Sequence, residues 1–293
     1  GQDLSWFIDQ WVKEPNHPVY QNYYSILNKG GGNWDVSFNA RQTQINSGFH
    51  KMPVVVKISF TTGADTTIRV MNDVNYQTFV FNFNTQPVSL TFDPDNDIVL
   101  KQATTTLQSA SSKTLTLTTL IQGFYDESNN IMVSDTATVF LRNISSPYSI
   151  VDSAKAVLNT SGTAIFSFIN IFNNAPYYIQ FNHRNSIETW SRSGGQSFVS
   201  SLLTYDFTDS VSKAFGNNMT IADTSPLKYS IYNGDVNQDG SIDASDLSRV
   251  ENDASNSLSG YESSDVSGDD YVDAADVSII ENNVALGVSA IVP

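Results

Sequence analysis

The chain has 293 residues, 40% of them hydrophobic and 15% charged, which is enough for two or three domains with apolar cores of their own. It contains no cysteine, so disulfide and thiolate chemistry are excluded. Thirty acidic residues stand against 15 basic ones, a net charge of −15 with no basic stripe to neutralise phosphates, which counts against nucleic-acid binding.

The charge is unevenly placed. From Asp235 onward there are 13 acidic residues and one basic one, so −12 of the −15 falls there. No run of some 18 apolar residues could span a membrane, and no signal peptide opens the chain. Gly1-Gln2-Asp3 reads as the start of a processed or excised piece.

In chain order, Leu4 to Val12 places Leu4, Trp6, Phe7, Ile8 and Trp11 at helical spacing, and Pro15 and Pro18 stop the helix. Period-2 segments follow at 54–60, 67–70, 79–83 and 88–92, separated by Gly63, Asn72-Asp73 and Gln86-Pro87. This pattern predicts a small β-sandwich. Asp93, Asp95 and Asp97 stand beside Pro94 and Asn96 and are expected to cap turns, although three carboxylates in five residues could also hold a cation.

The order Leu-Ser-Trp-Phe-Ile-Asp-Gln-Trp-Val (4–12), His17-Pro18-Val19-Tyr20, Gln42-Thr43-Gln44, Phe49 to Val54 and Phe92 to Asn96 resembles the region that joins the catalytic and β-sandwich domains of M1-family zinc aminopeptidases. The resemblance covers about residues 2 to 102, with Asn16 where that family has Gly. It implies a helical remnant at 1–17 leading into a β domain at 18–102. A peptidase of this family would need His-Glu-x-x-His, two imidazoles one turn apart on one zinc. The three histidines, His17, His50 and His183, are none of them followed by Glu. No enzyme is therefore expected, and His17 and His50 are read as turn or surface residues.

A Ser/Thr-rich connector at 103–113 leads to further strand-like segments at 115–118, 136–141, 164–168 and 177–181. They predict a second Ig-like β-sandwich over 114–232. The phrases Leu120 to Tyr125 and His183 to Ser191 are similar to a β-domain found ahead of calcium-loop repeats in secreted bacterial proteins, for which no activity is implied. His183, Arg184, Glu188 and Trp190 form the densest polar and aromatic cluster. They read either as a strand end with an ion pair or as a sugar platform, with Trp190 for stacking. A glycosidase needs two carboxylates about 5 to 9.5 Å apart. Six glutamates occur, three of them beyond Asp235, and nothing marks such a pair.

The most informative stretch is Asp235-Val-Asn237-Gln-Asp239-Gly240-Ser241-Ile242-Asp243-Ala-Ser-Asp246. Oxygen-bearing side chains at positions 1, 3, 5, 9 and 12, a carbonyl from Ser241 at position 7 and Gly at position 6 are what an EF-hand-type calcium loop requires. Thirty residues on, Asp265, Ser267, Asp269, Tyr271 (by its carbonyl), Asp273 and Asp276 repeat the pattern, with Asp270 in place of Gly. The copies also align beyond the loops, Leu247 to Asn252 on Val277 to Asn282, so each is a loop followed by a helix. Ile242 at position 8 is expected to pair with the second loop. Two calcium ions are expected, the second more weakly held because Ser267 is a poorer ligand. Millimolar calcium outside cells makes an extracellular location the consistent one.

The paired loops, each closed by Asp, resemble a type I dockerin, here covering 233–293. That resemblance implies a cohesin-like partner recognised through positions 10 and 11, Ala244-Ser245 and Ala274-Ala275. The fold class expected is thus mainly β, two Ig-like sandwiches in series with a small α calcium module. The function expected is a non-catalytic extracellular structural or interaction protein, docking on another copy of itself or on a cohesin-like protein. A carbohydrate- or surface-binding accessory module of a secreted metallopeptidase, with polysaccharide as a partner, is the alternative.

Overall fold

The computed structural model describes residues 3–45 and 47–293, so the expected start at Gly1-Gln2 lies outside it. A helix α1 (Ser5–Ile8), capped by Asp3 through a 2.9 Å bond from the Ser5 N–H, continues as a wider π turn to Lys13 and stops at the Pro15 bend. The first β domain has strands β1 (Val19–Gly30), β2 (Asn33–Ala40), β3 (Met52–Phe60), β4 (Thr66–Asn72), β5 (Gln77–Phe83), β6 (Pro87–Phe92) and β7 (Gln102–Leu107). They form sheets ordered β5-β2-β1-β7 and β4-β3-β6. Alternate residues of both sheets meet in one core, with Tyr20, Phe38, Val54, Val56, Ile58 and Phe92 among its buried members. Such side chains contribute about 1.5–3 kcal/mol each on burial.

The expected connector 103–113 is half strand. β7 lies parallel to β1, Gln102 to Leu107 opposite Val19 to Tyr24, because β1 otherwise ends the sheet and a Thr-rich run suits the pleat. His50 is 1% exposed, not a surface residue: its ring packs edge-on against Trp11 at 5.1 Å, and its N–H donates to Gln42. His17 is exposed, as expected. Asp93 is a turn cap, its two oxygens taking the N–H groups of Asp97 and Ile98.

The middle domain comprises β8 (Lys113–Thr118), β9 (Tyr125–Asp126), β10 (Ile131–Met132), β11 (Asp135–Asn143), β12 (Ile150–Leu158), β13 (Thr163–Phe168), β14 (Pro176–His183), β15 (Thr189–Trp190), β16 (Gln196–Ser197), β17 (Leu202–Asp206), β18 (Thr220–Thr224) and β19 (Leu227–Ser230). Its main sheets are β12-β11-β14-β15, with β16 also on β14, and β13-β8-β17. Two helices follow, α2 (Ala244–Ser255) and α3 (Ala274–Leu286).

The contacts between parts differ in kind. The first and middle domains meet mainly through polar pairs, Asn170 reaching Asp35 at 2.9 Å, Asn143 bonding Thr78 N–H and C=O, and Tyr177 meeting the Thr78 hydroxyl at 2.8 Å, with Tyr23, Tyr76 and Val80 packed beside them. The middle domain and the C-terminal helices instead share one apolar cluster, in which Leu117, Phe124 and Ile187 are continuous with Val236, Ile242, Val250, Val266, Val272 and Ile280. Among the described residues no helix is long and apolar enough to cross a membrane.

Candidate metal centre

The first loop is folded around two carboxylates. Asp235 and Asp246 are 2% and 0% exposed, unusual for charged side chains. Asp235 takes the N–H groups of Asp239 and Gly240, both at 3.1 Å, and Asp246 takes those of Val236, Asn237 and Asp243. Asp243 is the N-cap of α2 and Asp246 its third residue, so positions 9 and 12 of the loop are also the two halves of a capping box. The chain therefore turns inward on the oxygens at its first and last positions and launches the helix in the same step.

The second loop repeats these bonds and adds one at position 4, from the Gly268 N–H. Asp265 takes the N–H groups of Gly268, Asp269 and Asp270; Asp276 takes those of Val266, Ser267 and Asp273; Asp273 caps α3. Positions 4 and 6 are left-handed in both copies: Gln238 and Gly240 in the first, Gly268 and Asp270 in the second. The missing Gly at position 6 is thus absorbed by Asp, which tolerates that conformation. Gly268 is needed for a different reason, since a Cβ there would stand 3.1 Å from the Phe124 ring.

The loops do not pair with each other as expected of Ile242. Ile242 is buried but donates to the Val288 carbonyl, and Ser241 bridges Ser289; equivalently Val272 donates to Leu258, and Tyr271 bridges Ser259. Each loop is closed by the segment that follows the other loop's helix. The reason is that α2 and α3 pack together and carry their trailing segments across to the opposite loop.

Among the described residues no three His, Cys, Asp or Glu side chains converge as a ready metal cluster. Each loop brings two carboxylates inward and leaves Asp239, Asp243, Asp269 and Asp273 at its surface, with Asn237 exposed and Ser267 half-buried. Ser241 is half-buried and Tyr271 exposed, as befits residues that would offer only a carbonyl. The donor set nonetheless fits calcium, because it is all oxygen and short of positive charge. Burial first, and the neighbouring Asp246 carboxylate after it, push Asp235 up to about 6, and burial likewise raises Asp276. A buried pair of carboxylates is costly until a cation joins it. Calcium would be held by Asp235, Asn237, Asp239, Ser241 and Asp246 in one loop and their counterparts in the other, with Asp243 and Asp273 behind as caps. It would supply the charge that lets the carboxylates stay ionised in the fold.

The second loop has one cation near it. Arg184 Nη2 lies 3.5 Å from Asp265, while its Nε donates to Asp135 at 2.9 Å. Asp135 also meets His183 at 3.0 Å and accepts from Tyr261 at 2.7 Å. Burial alone would raise the Asp135 carboxyl, but the bonds from His183, Arg184 and Tyr261 outweigh it and hold it well below the carboxylate range. The sugar platform is therefore overturned. Arg184 faces the calcium module and His183 is buried edge-on against Phe124, while Trp190 is 5% exposed, with Arg142 over its ring at 5.1 Å and Tyr148 and Tyr178 edge-on beside it. Glu188 is spent on Gln180 and the Trp190 indole N–H.

The sequence reading passed over the amides that join module to domain. Asn185 donates to the Asp265 carbonyl, Asn233 to Val266, and Asn283 to Asn233 and Gln122, all at 2.7 Å. The signal available was an Asn at the N-terminal edge of the first loop and another inside an apolar helix face. The dockerin recognition positions, Ala244, Ser245, Ala274 and Ala275, are all exposed, whereas Arg249 is tied to Val236 and Ser263.

Residues 233–285 match the dockerin type I domain, which spans both loops and nearly all of α3. Domains of that type bind calcium and dock on cohesin partners in extracellular assemblies. No curated protein and no solved structure matches the chain, and the likeness of residues 2–102 to M1 peptidases gains no support from them.

Proposed function

We propose that the chain is a non-catalytic docking arm of an extracellular assembly, its β domains carrying a calcium-folded dockerin that plugs into a cohesin. The observation that carries this reading is the dockerin match over paired loops that each bury two carboxylates. Calcium adds its binding free energy to the folded loops and so to the surface they present. The exposed Ala244-Ser245 and Ala274-Ala275 pairs are the partner-facing positions in this reading. A non-catalytic role is supported by the histidines, of which His50 and His183 are buried in packing. The test is titration calorimetry of the full chain against a purified type I cohesin domain. Binding in millimolar calcium that vanishes in chelator is expected, and no binding in calcium would defeat the proposal.

A second reading, self-assembly, is favoured by β12, a nine-residue strand at the edge of its sheet with Val157 61% exposed. Exposed Lys155 on the same strand opposes edge pairing, so docking on a different protein is preferred. Light scattering in calcium and in chelator separates the two, because only self-assembly makes large particles of the chain alone.

A further inference from the structure

The two calcium loops are alike in backbone and unlike in surroundings. Asp235 in the first has no basic side chain within ion-pair distance among the described residues. Its counterpart Asp265 has Arg184. The guanidinium is itself fixed in place: Asp135 holds its Nε, the Tyr261 ring lies 4.4 Å below it and the Phe124 ring 5.4 Å away. The rest of the second loop is held by the middle domain too, through Asn185 on the Asp265 carbonyl and the Phe124 ring against Gly268, and Asn233 at the junction links the Val266 and Gln122 carbonyls. The closest approach is at Gly123, where a Cβ would come within 2.4 Å of the Val266 carbonyl oxygen. Among the described residues the one side-chain bond between the first loop and the middle domain is Gln238 donating to the Ser186 carbonyl at 3.3 Å, and the nearby Arg249 guanidinium is spent on the Val236 carbonyl and Ser263.

We propose that Arg184 is a built-in countercharge that keeps the second loop folded without calcium, so that calcium switches the first loop alone. An arginine is suited to the task because it cannot lose its proton, and its planar head can serve two carboxylates at once. The fixed positive charge also competes with an entering cation for Asp265, which places the second loop below the first in calcium affinity independently of Ser267. In calcium-poor surroundings the module is then half-formed: α3 and the second loop stay anchored on the β domain, while the first loop and α2 loosen. The inference rests on the loops being calcium sites, and the experiment separates the two claims.

The experiment is hydrogen exchange, read by mass spectrometry, on the full chain in millimolar calcium and in excess chelator. In chelator the amides of Val266, Ser267 and Asp273, which bond to Asp276, are expected to exchange at least about tenfold more slowly than those of Val236, Asn237 and Asp243, which bond to Asp246 in the same way. Arg184→Met should remove that difference in chelator and restore protection of both loops in calcium. Arg184→Lys, which keeps the charge, should preserve part of the difference. Amides of β11 in calcium report that each variant has kept its β domain, and the wild-type comparison of the two loops stands without either variant. Equal loss of protection in both wild-type loops, or an unchanged second loop in Arg184→Met, overturns the inference. Loops that respond to neither calcium nor chelator remove the calcium assignment itself and the inference with it.

Discussion

Replacing Asp235 with Asn tests the electrostatics of the first loop most directly. The carboxyl, raised from 3.8 to about 6, is harder to ionise in the calcium-free fold than in the unfolded chain by about 3 kcal/mol. A raised folded-state value means that the folded chain holds the proton more tightly, so stability is fullest below 3.8 and is lost as pH rises through about 6. Asparagine removes the charge but has one acceptor oxygen where Asp235 served two N–H groups, Asp239 and Gly240, and one lost bond costs about 1–3 kcal/mol. In chelator at pH 7 the two effects nearly offset, and Asp235→Asn should unfold within about 2 kcal/mol of the wild type, on the stable side if any. In calcium the order reverses. A first site filled at 100 times its dissociation constant adds about 2.7 kcal/mol to the wild type, and the variant loses that increment. The assay is urea unfolding followed by tryptophan fluorescence and far-UV circular dichroism, from pH 4 to 7, with and without calcium. Between pH 4 and 6 the calcium-free wild type should lose about 2 kcal/mol relative to the variant. Parallel pH curves for the two proteins, or an equal calcium increment in both, would refute the reasoning.

Gly123→Ala combines a positive φ of 83° with a Cβ 2.4 Å from the Val266 oxygen; it should cost about 2–5 kcal/mol in thermal unfolding and separate the transition of the calcium module from that of the middle domain. Trp190→Ala should cost about 3–5 kcal/mol by denaturant unfolding, and no change in glycan binding is expected on a glycan array, because the ring lies in packing and not at a surface. Ser267→Asp puts a carboxylate at position 3, a stronger calcium ligand than the hydroxyl, and should tighten the weaker of the two calcium steps in calorimetry; an unchanged weaker step would mean that Ser267 is not what limits it.

The calcium loops were legible as a pattern because spacing alone marks the oxygen-bearing positions, the turn glycine and the inward apolar residue, but Asp243 and Asp273, expected as ligands, are helix caps. The strands at 54–60 and 136–141 were legible for a related reason, since one buried face leaves a period of two. β1 and β2 were not. In β2 all six residues from Asp35 to Ala40 are buried, because one face meets the first core and the other meets the middle domain, where Asp35 and Ser37 bond Asn170. A strand covered on both sides by unlike neighbours shows no alternation. The position-8 pairing was misread because loop-to-loop contact is the simplest closure of two equal copies, and nothing local records that the helices carry their tails across. Arg184 stood out by composition and read as part of either an ion pair or a sugar platform, but its partner Asp265 is 81 residues away and nothing local records it.

The crossed closure of the loops sets an order in time. A chain leaving the ribosome presents the first loop complete at Asp246, but the carbonyl that receives Ile242 belongs to Val288, and the Gly240 carbonyl waits for the N–H of Ala290. The second loop needs Leu258, which has already emerged when Val272 appears. The loop made first is therefore the last to be sealed. A nascent or clipped chain lacking residues 287–290 would present a finished second loop and an unlatched first one.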